Sequence, residues 1–298
     1  MTTETIIQTL LPAALALIMF SLGVTLSRED FRRFLKAPKA VLTGLGVQVI
    51  LIPCFAYLLT RIFGLDPELS VGLMLLAASP GGVSANLFSH FSGGDVALNI
   101  TLTAINSILA AFTIPALVYF SLRHFMNQSQ FIGFQFGKMI EVFLIVLIPV
   151  VIGMIVNERF PKLKERIEKP FNIFAITFLV FIVIVAIKRE FTLISQSFVE
   201  IGFMTLIFNL GSLGLGYAAG KVLKLTEAQA IGIGFEIGIH NVTLGLFLAY
   251  SILGNTRFAV PGACYAVMMY VVAGAVTLLI RARKRTGITP VAATVPKS

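Results

Sequence analysis

"AASPGGVSANLFSHFSGGD", Ala77 to Asp95, sets a Pro-Gly-Gly run in the middle of an apolar segment, and "GIGFEIGIHNVTLG", Gly232 to Gly245, sets a glutamate, a histidine and an asparagine in the middle of another. A regular helix cannot run through Pro80-Gly81-Gly82, because proline lacks the donor and paired glycines are poor helix formers. Backbone groups freed by such a break are tolerated at membrane depth only where they face protein or a wet cavity. The two stretches therefore predict two discontinuous helices that meet inside a membrane-embedded bundle.

The rest of the chain supports lipid as its solvent. Of 298 residues, 57% are hydrophobic and only 12% are charged, and mean hydropathy is +0.93. A soluble domain carries about a quarter charged residues. Apolar runs predict nine transmembrane helices, at approximately 5–26, 39–63, 69–91, 95–122, 139–157, 170–187, 199–220, 228–252 and 258–280. The opening "MTTETIIQ" has no positive n-region and no A-x-A site follows, so the first helix is expected to be a true span. The fold class is an all-α polytopic membrane protein.

Net charge is +9, and the basic residues sort by side. Loops after spans one, five, seven and nine hold 17 of the 23 Lys and Arg residues, while Arg61, Arg123, Lys138, Lys188, Arg189 and Arg257 fall on the other side. The positive-inside rule puts the N-terminus outside and the C-terminus in the cytoplasm. One span more or fewer would mix the two sets. The same sorting explains the charge without nucleic acid as a partner. "SREDFRRFLKAPKA", Ser27 to Ala40, predicts a short interfacial helix with Phe31, Phe34 and Leu35 on one face, a plain loop being the alternative. The tail "TGITPVAATVPKS", residues 286–298, is expected to be disordered. Cys54 and Cys264 read as small apolar packing residues.

The two interrupted segments occupy matching places. One lies in the third of spans one to four, the other in the third of spans six to nine, and those groups of four run in opposite directions. That is the pattern of inverted repeats, whose paired broken helices cross at the midplane and build a binding site. Gln48 with Pro53 in span two echoes Asn209 with Gly211 in span seven. Close packing of small residues is the alternative for either segment alone.

Glu236 is the acidic residue deep inside a span; Glu141, Glu200, Glu227 and Asp95 sit near span ends. A carboxylate at the bilayer centre costs about 2.5 kcal/mol or more and needs a partner. No Lys or Arg lies at matching depth, which leaves a bound cation or a proton, the proton being the structural alternative. A hard cation wants several oxygens. Ser84, Asn86, Asn99, Thr101, Thr103, Asn106, Gln48, Asn241 and Thr243 can supply them, with carbonyls freed at the breaks. His240, four residues on, reads as a donor, a cavity liner, a nitrogen ligand, a proton site or a packing residue. His90 and His124 do not complete a zinc set. A lone carboxylate with no paired acid or nucleophile does not suggest an enzyme. Helix ends at the breaks favour anions.

At these residues the sequence resembles the bile acid:sodium symporter family, in the nine-helix form of its bacterial members. "SPGGVSANLFSHFSGGDVALNITLTAINS" is similar to the family's C-P-G-G-x-x-S-N…G-x-x-A-L-S-x-x-x-T, "FEIGIHNVTLG" to its E-x-G-x-Q-N-x-x-L/G, and "VPGA" precedes the last span as in the family. The resemblance implies a panel domain (1–38 and 125–190), a core domain (39–124 and 191–280) and a basic cytoplasmic tail (281–298). It implies Na⁺-coupled symport of small organic anions, bile-acid-like or other carboxylates, by alternating access across a bacterial inner membrane. A first sodium site would involve Ala85, Asn86, Asn99, Thr103 and Glu236. A second would involve Gln48, Glu236, the carbonyls of Ile237 and Ile239, and His240. Ser84, Asn241, Met269 and Tyr270 would face the substrate. Three departures follow from the comparison. Ala85 and Asn99 stand where the family has serine. His240 stands where it has glutamine, and imidazole offers Na⁺ no oxygen, so a proton-coupled or uncoupled carrier of the same fold is the alternative. "VMMYVVAG", Val267 to Gly274, replaces polar residues of some relatives, so bile acid is not implied as the substrate.

Overall fold

In the computed structural model, residues 3–126, 136–167 and 191–285 are described, with scattered positions between 168 and 190. The predicted tail lies outside the described residues, as does most of the predicted sixth span. All regular structure among the described residues is helical, apart from one isolated bridge. The helices, numbered in order, are α1 (Thr3–Thr25), α2 (Arg28–Lys36), α3 (Pro38–Ile62), α4 (Pro67–Ala78), α5 (Ser84–Ser92), α6 (Val96–Phe125), α7 (Phe136–Arg159), α8 (Phe191–Val222), α9 (Glu227–Gly238), α10 (Val242–Phe247, continuing as a wide turn to Ile252) and α11 (Val260–Arg285).

Among the described residues, Pro38–Ile62, Val96–Phe125, Ile201–Val222 and Thr256–Lys284 are each long and apolar enough to cross a bilayer. Leu15–Thr25, Pro67–Ala78 and Val242–Ile252 are shorter apolar pieces. The chain is a multi-pass helical membrane protein.

Local chemistry sets the boundaries. The Asp30 carboxylate accepts from both the N–H and the hydroxyl of Ser27 at 2.8 Å, so α2 begins sharply after α1. Phe31 and Phe34 of α2 pack on the core, but Leu35 is 77% exposed, so the amphipathic face is narrower than the sequence suggests. Pro53 cannot donate to the carbonyl four residues back, and α3 responds with a π turn at Val47–Leu51 that carries Gln48. Asp95 caps α6 by accepting from the Leu98 N–H at 2.9 Å. Gly93 ends α5 at φ +72°, a left-handed conformation that suits glycine.

Helix α1 lies along α7, where a Cβ on Gly23 or Gly153 would overlap the carbonyl of Val150 or Phe20. Small residues at such contacts let membrane helices approach closely. Asn157 at the end of α7 donates to the Leu26 carbonyl at 2.6 Å, and Arg28 pairs with Glu158 at 2.9 Å. The C-terminal ends of α1 and α7 are thereby tied together. Helices α3–α6 and α8–α11 form the larger packed body, with α9 against both α8 and α6.

Candidate functional site

Both predicted interruptions are present, and they meet. After α4 the chain leaves the helix at Ser79 and re-enters at Ser84; after α9 it leaves at Ile239 and re-enters at Val242. The Gly82 N–H donates to the Ile239 carbonyl at 2.7 Å, and the Asn241 N–H to the Pro80 carbonyl at 2.8 Å. These bonds frame a short antiparallel bridge, Gly81 with His240. Each break thus satisfies backbone groups freed by the other, which a dry interior demands. Asn241 also caps the helix that follows, its Oδ1 accepting from the Leu244 N–H at 3.1 Å.

Glu236 sits beside this crossing with 0% exposure. Its Oε2 accepts from the Thr103 hydroxyl at 2.6 Å, while Oε1 has no partner among the described residues. The same hydroxyl lies 3.1 Å from the Asn99 carbonyl, so its single hydrogen serves two acceptors. Asn99, Thr103 and Asn106 recur at helical spacing and line one face of α6 toward α9. Asn99 donates to the Gly232 carbonyl at 2.8 Å and leaves its own Oδ1 unpartnered. The Asn106 amide faces the Glu236 carboxyl from the same helix as Thr103 without a well-formed hydrogen bond.

The predicted ligands fall into two groups around this carboxyl. Ala85 and Asn86 lie in the first turn of α5, Ala85 fully buried and the Asn86 Oδ1 unpartnered. On the other side, Gln48 donates to the carbonyls of Ala77 at 3.1 Å and Ser79 at 3.0 Å, its Oε1 left unpartnered. His240 Nδ1 lies 3.1 Å from the same Ser79 carbonyl. A carbonyl only accepts, so Nδ1 carries the hydrogen and Nε2 presents a lone pair in the neutral ring. Nε2 has no partner among the described residues. Ile237 and Ile239 are buried at the end of α9, the Ile239 carbonyl already accepting from Gly82.

A buried carboxyl with an unpartnered oxygen is costly unless something charged completes it, and buried amide oxygens of Gln48, Asn86 and Asn99 on the neighbouring helices are likewise unpartnered among the described residues. The oxygens of Gln48, Asn86, Asn99 and Glu236 suit a hard monovalent cation. Among the described residues, no three His, Cys, Asp or Glu side chains cluster, so amides, hydroxyls and carbonyls dominate any such site.

Sequence reasoning missed Tyr265. Its hydroxyl donates to the Gly238 carbonyl at 2.9 Å and accepts from Asn209 Nδ2 at 2.8 Å, and Asn209 also reaches Gly238 at 2.7 Å. His240 is held between the Phe208 ring, stacked at 5.7 Å, and the Tyr265 ring at 5.4 Å. The polar Asn209 was visible in the sequence; a tyrosine in an apolar span carried no such signal. Tyr265→Phe is expected to keep the ring packing and cost about 1–3 kcal/mol through two lost buried hydrogen bonds, read as a lowered melting temperature.

A cavity of about 590 Å³ adjoins the crossing. Gly82, Ser84, Asn86, His240, Asn241 and Thr243 line it from the interrupted segments, and Met269 and Tyr270 from α11. The Ser84 and Tyr270 hydroxyls lie 3.3 Å apart. Ile18, Ser21 and Thr25 of α1 face it from the opposite wall. Ligand cavities of this size accept drug-sized molecules. The arrangement is that of a multi-pass membrane protein in which a buried carboxyl and a ligand-sized cavity adjoin the same helix crossing.

The sequence matches the Sodium Bile acid symporter family over residues 12–197, and the chain belongs to that family. It is 26% identical to "Probable sodium/metabolite cotransporter BASS1, chloroplastic" of Arabidopsis thaliana, over 87% of this chain and 65% of the relative. It is 27% identical to "Probable sodium/metabolite cotransporter BASS2, chloroplastic" of Oryza sativa subsp. japonica, over 92% and 64% respectively. Against "Uncharacterized sodium-dependent transporter YocS" of Bacillus subtilis (strain 168), identity is 28% over 85% of this chain and 77% of the relative. The chain thus spans just under two thirds of the length of the two plant relatives.

Proposed function

We propose that the chain is a secondary active transporter that couples Na⁺ entry to uptake of a small organic anion by alternating access. One observation carries this reading: Glu236 is fully buried at the crossing, with one carboxyl oxygen unpartnered and no basic side chain as its partner among the described residues. An ion that arrives from solvent and leaves again neutralises that carboxylate without a fixed basic residue. The names of the relatives, sodium/metabolite cotransporters and a sodium-dependent transporter, support the same ion.

In this reading Asn86, Asn99, Thr103 and Glu236, with Ala85 through its backbone, hold one Na⁺. Gln48, Glu236, the carbonyls of Ile237 and Ile239, and His240 hold a second. Binding ties α5, α6 and α9 around the crossing. The anion then enters the cavity against Ser84, Asn241, Met269 and Tyr270. Spans one to four and spans six to nine form two inverted repeats, and span five has no counterpart. Helices α1 and α7, with the sixth span, make a panel against which the remaining helices rock. The N-terminus lies outside and the C-terminus in the cytoplasm of a bacterial inner membrane. The chemistry is binding and movement, and no covalent step is assigned.

The test is thermal stability of the purified protein in NaCl, KCl and choline chloride, with uptake into proteoliposomes under an imposed Na⁺ gradient. Na⁺ alone should stabilise, by about 2.7 kcal/mol at a concentration a hundred times its dissociation constant. Equal melting temperatures in the three salts would remove the reading.

The unpartnered Nε2 of His240 favours a second reading, in which that nitrogen takes a proton and coupling is to H⁺. His240→Gln separates the two. Under sodium coupling it supplies an oxygen in place of nitrogen and is expected to lower the half-maximal Na⁺ concentration by about threefold. Under proton coupling it abolishes the pH dependence of uptake and leaves Na⁺ without effect.

A further inference from the structure

The cavity has a direction. Along α1 it runs from Ile18 to Thr25, and along α5 from Ser84 to His90, each stretch about 10 Å at helical rise. Ser84 belongs to the crossing end. At the Thr25 end the wall is completed by Lys164, on the short helical stretch 161–167 that follows α7. The ties from Asn157 to Leu26 and from Glu158 to Arg28 hold that stretch against the end of α1.

Lys164 differs from its basic neighbours. Lys162 and Arg166 are exposed, whereas Lys164 is half-buried and lines the cavity. Among the described residues it forms no ion pair. Among the described residues no acidic side chain lines the cavity, and its apolar surface comes from Ile18, Val83, Leu87, Ile100, Val242 and Met269. A partly desolvated ammonium at the end of this cavity has no counter-charge among the described residues, and a bound anion would supply one.

We propose that Lys164 is the specificity-determining cation for the transported anion: it receives the charged head of an amphipathic carboxylate whose apolar body lies along the channel toward the crossing. This rests on the carrier reading and extends it. Lys164 follows α7 while Ser84, Asn241 and Tyr270 belong to the other helices that line the cavity, so in this reading one substrate touches both bodies that move.

The test uses the full-length protein in lipid nanodiscs with NaCl, and two carboxylate probes, cholate and octanoate, each beside its uncharged methyl ester. Lys164→Gln is expected to weaken binding of the carboxylates about tenfold or more while leaving the esters within about twofold of wild type. Lys164→Arg should restore carboxylate binding, and Lys162→Gln, which removes the same charge from an exposed neighbour, should leave it unchanged. The Na⁺-induced rise in melting temperature, which reports the ligands at the crossing, should survive in all three variants. Carboxylate binding by Lys164→Gln as tight as wild type, or an equal loss for acids and esters, overturns the assignment and leaves the carrier reading standing. Wild-type protein that binds neither carboxylate in Na⁺ overturns both.

Discussion

Glu236→Gln is expected to abolish the stabilisation by Na⁺ and the Na⁺-driven uptake while leaving the protein folded, and in K⁺ more stable than wild type. The substitution keeps the volume of the side chain and an oxygen for the Thr103 hydroxyl, so packing at the crossing survives. What it removes is the charge. In wild type without Na⁺ that carboxyl is fully buried with one oxygen unpartnered, a state that must be neutralised by a proton or carry a desolvation cost. The amide carries no such cost, which gives the gain in K⁺. With Na⁺ the order reverses, because wild type gains the binding free energy of the ion and the variant does not. At saturating Na⁺ a gain of about 2.7 kcal/mol corresponds to a melting shift of several degrees in a chain of this size. Melting curves in NaCl and KCl for both proteins read the crossover directly. A variant that kept the full Na⁺ response would show that the carboxylate is structural, and the proposed coupling would fail with it.

Much of this site was legible because its signals are local. Pro80-Gly81-Gly82 forbids a helix wherever it falls, and the structure breaks there, between Ser79 and Val83. The second break was harder. Ile239-His240-Asn241 is compatible with a helix taken alone, and only the polar content at mid-span marked it; the bridge to Gly81 is what interrupts it. Glu236 stood out because charge in lipid is expensive, a rule that needs no coordinates. The Ser79 carbonyl did not stand out, although Gln48 and His240 both converge on it, because every residue carries a carbonyl and only the fold selects one. Tyr265 was invisible for the same kind of reason: its hydroxyl matters through the face it presents to Asn209 and Gly238. Lys164 was read for topology alone, since a lysine that turns into a cavity and one that stays in solvent have the same sequence signature. The π turn at Val47–Leu51 lies between these cases, with Pro53 announcing a missing donor but not how the helix would absorb it.

Gly81→Ala should be nearly as damaging to ion binding as loss of the carboxylate itself. A Cβ built on Gly81 would overlap the Glu236 carboxyl, meeting both oxygens and the carbon between them. Neither side can withdraw freely. The backbone around Gly81 is held by the bonds from Gly82 to Ile239 and from Asn241 to Pro80, and the carboxyl is held by Thr103 at 2.6 Å. The softer of the two is the side chain, so the carboxyl moves and the contact with Thr103 is lost. Overpacking of this kind costs about 1–3 kcal/mol, which lowers the melting temperature in K⁺. The larger effect is on Na⁺, whose ligands are dispersed when the carboxyl shifts; the half-maximal Na⁺ concentration should rise by roughly tenfold or more. Gly82→Ala is the matched comparison. There the nearest atom, the His240 carbonyl oxygen, is 3.3 Å from the added carbon, so a small adjustment suffices and the Na⁺ response should persist. Gly46→Ala, with nothing within 4 Å, should be silent. A shorter acid makes room for the added methyl, so Gly81→Ala with Glu236→Asp should respond to Na⁺ better than either change predicts by addition, the coupling expected of groups in contact. Na⁺ titrations of melting temperature across wild type, the three glycine variants, Glu236→Asp and the double variant check the series. If Gly81→Ala and Gly82→Ala responded alike, the absence of a side chain at position 81 would not be what lets the carboxyl reach the crossing.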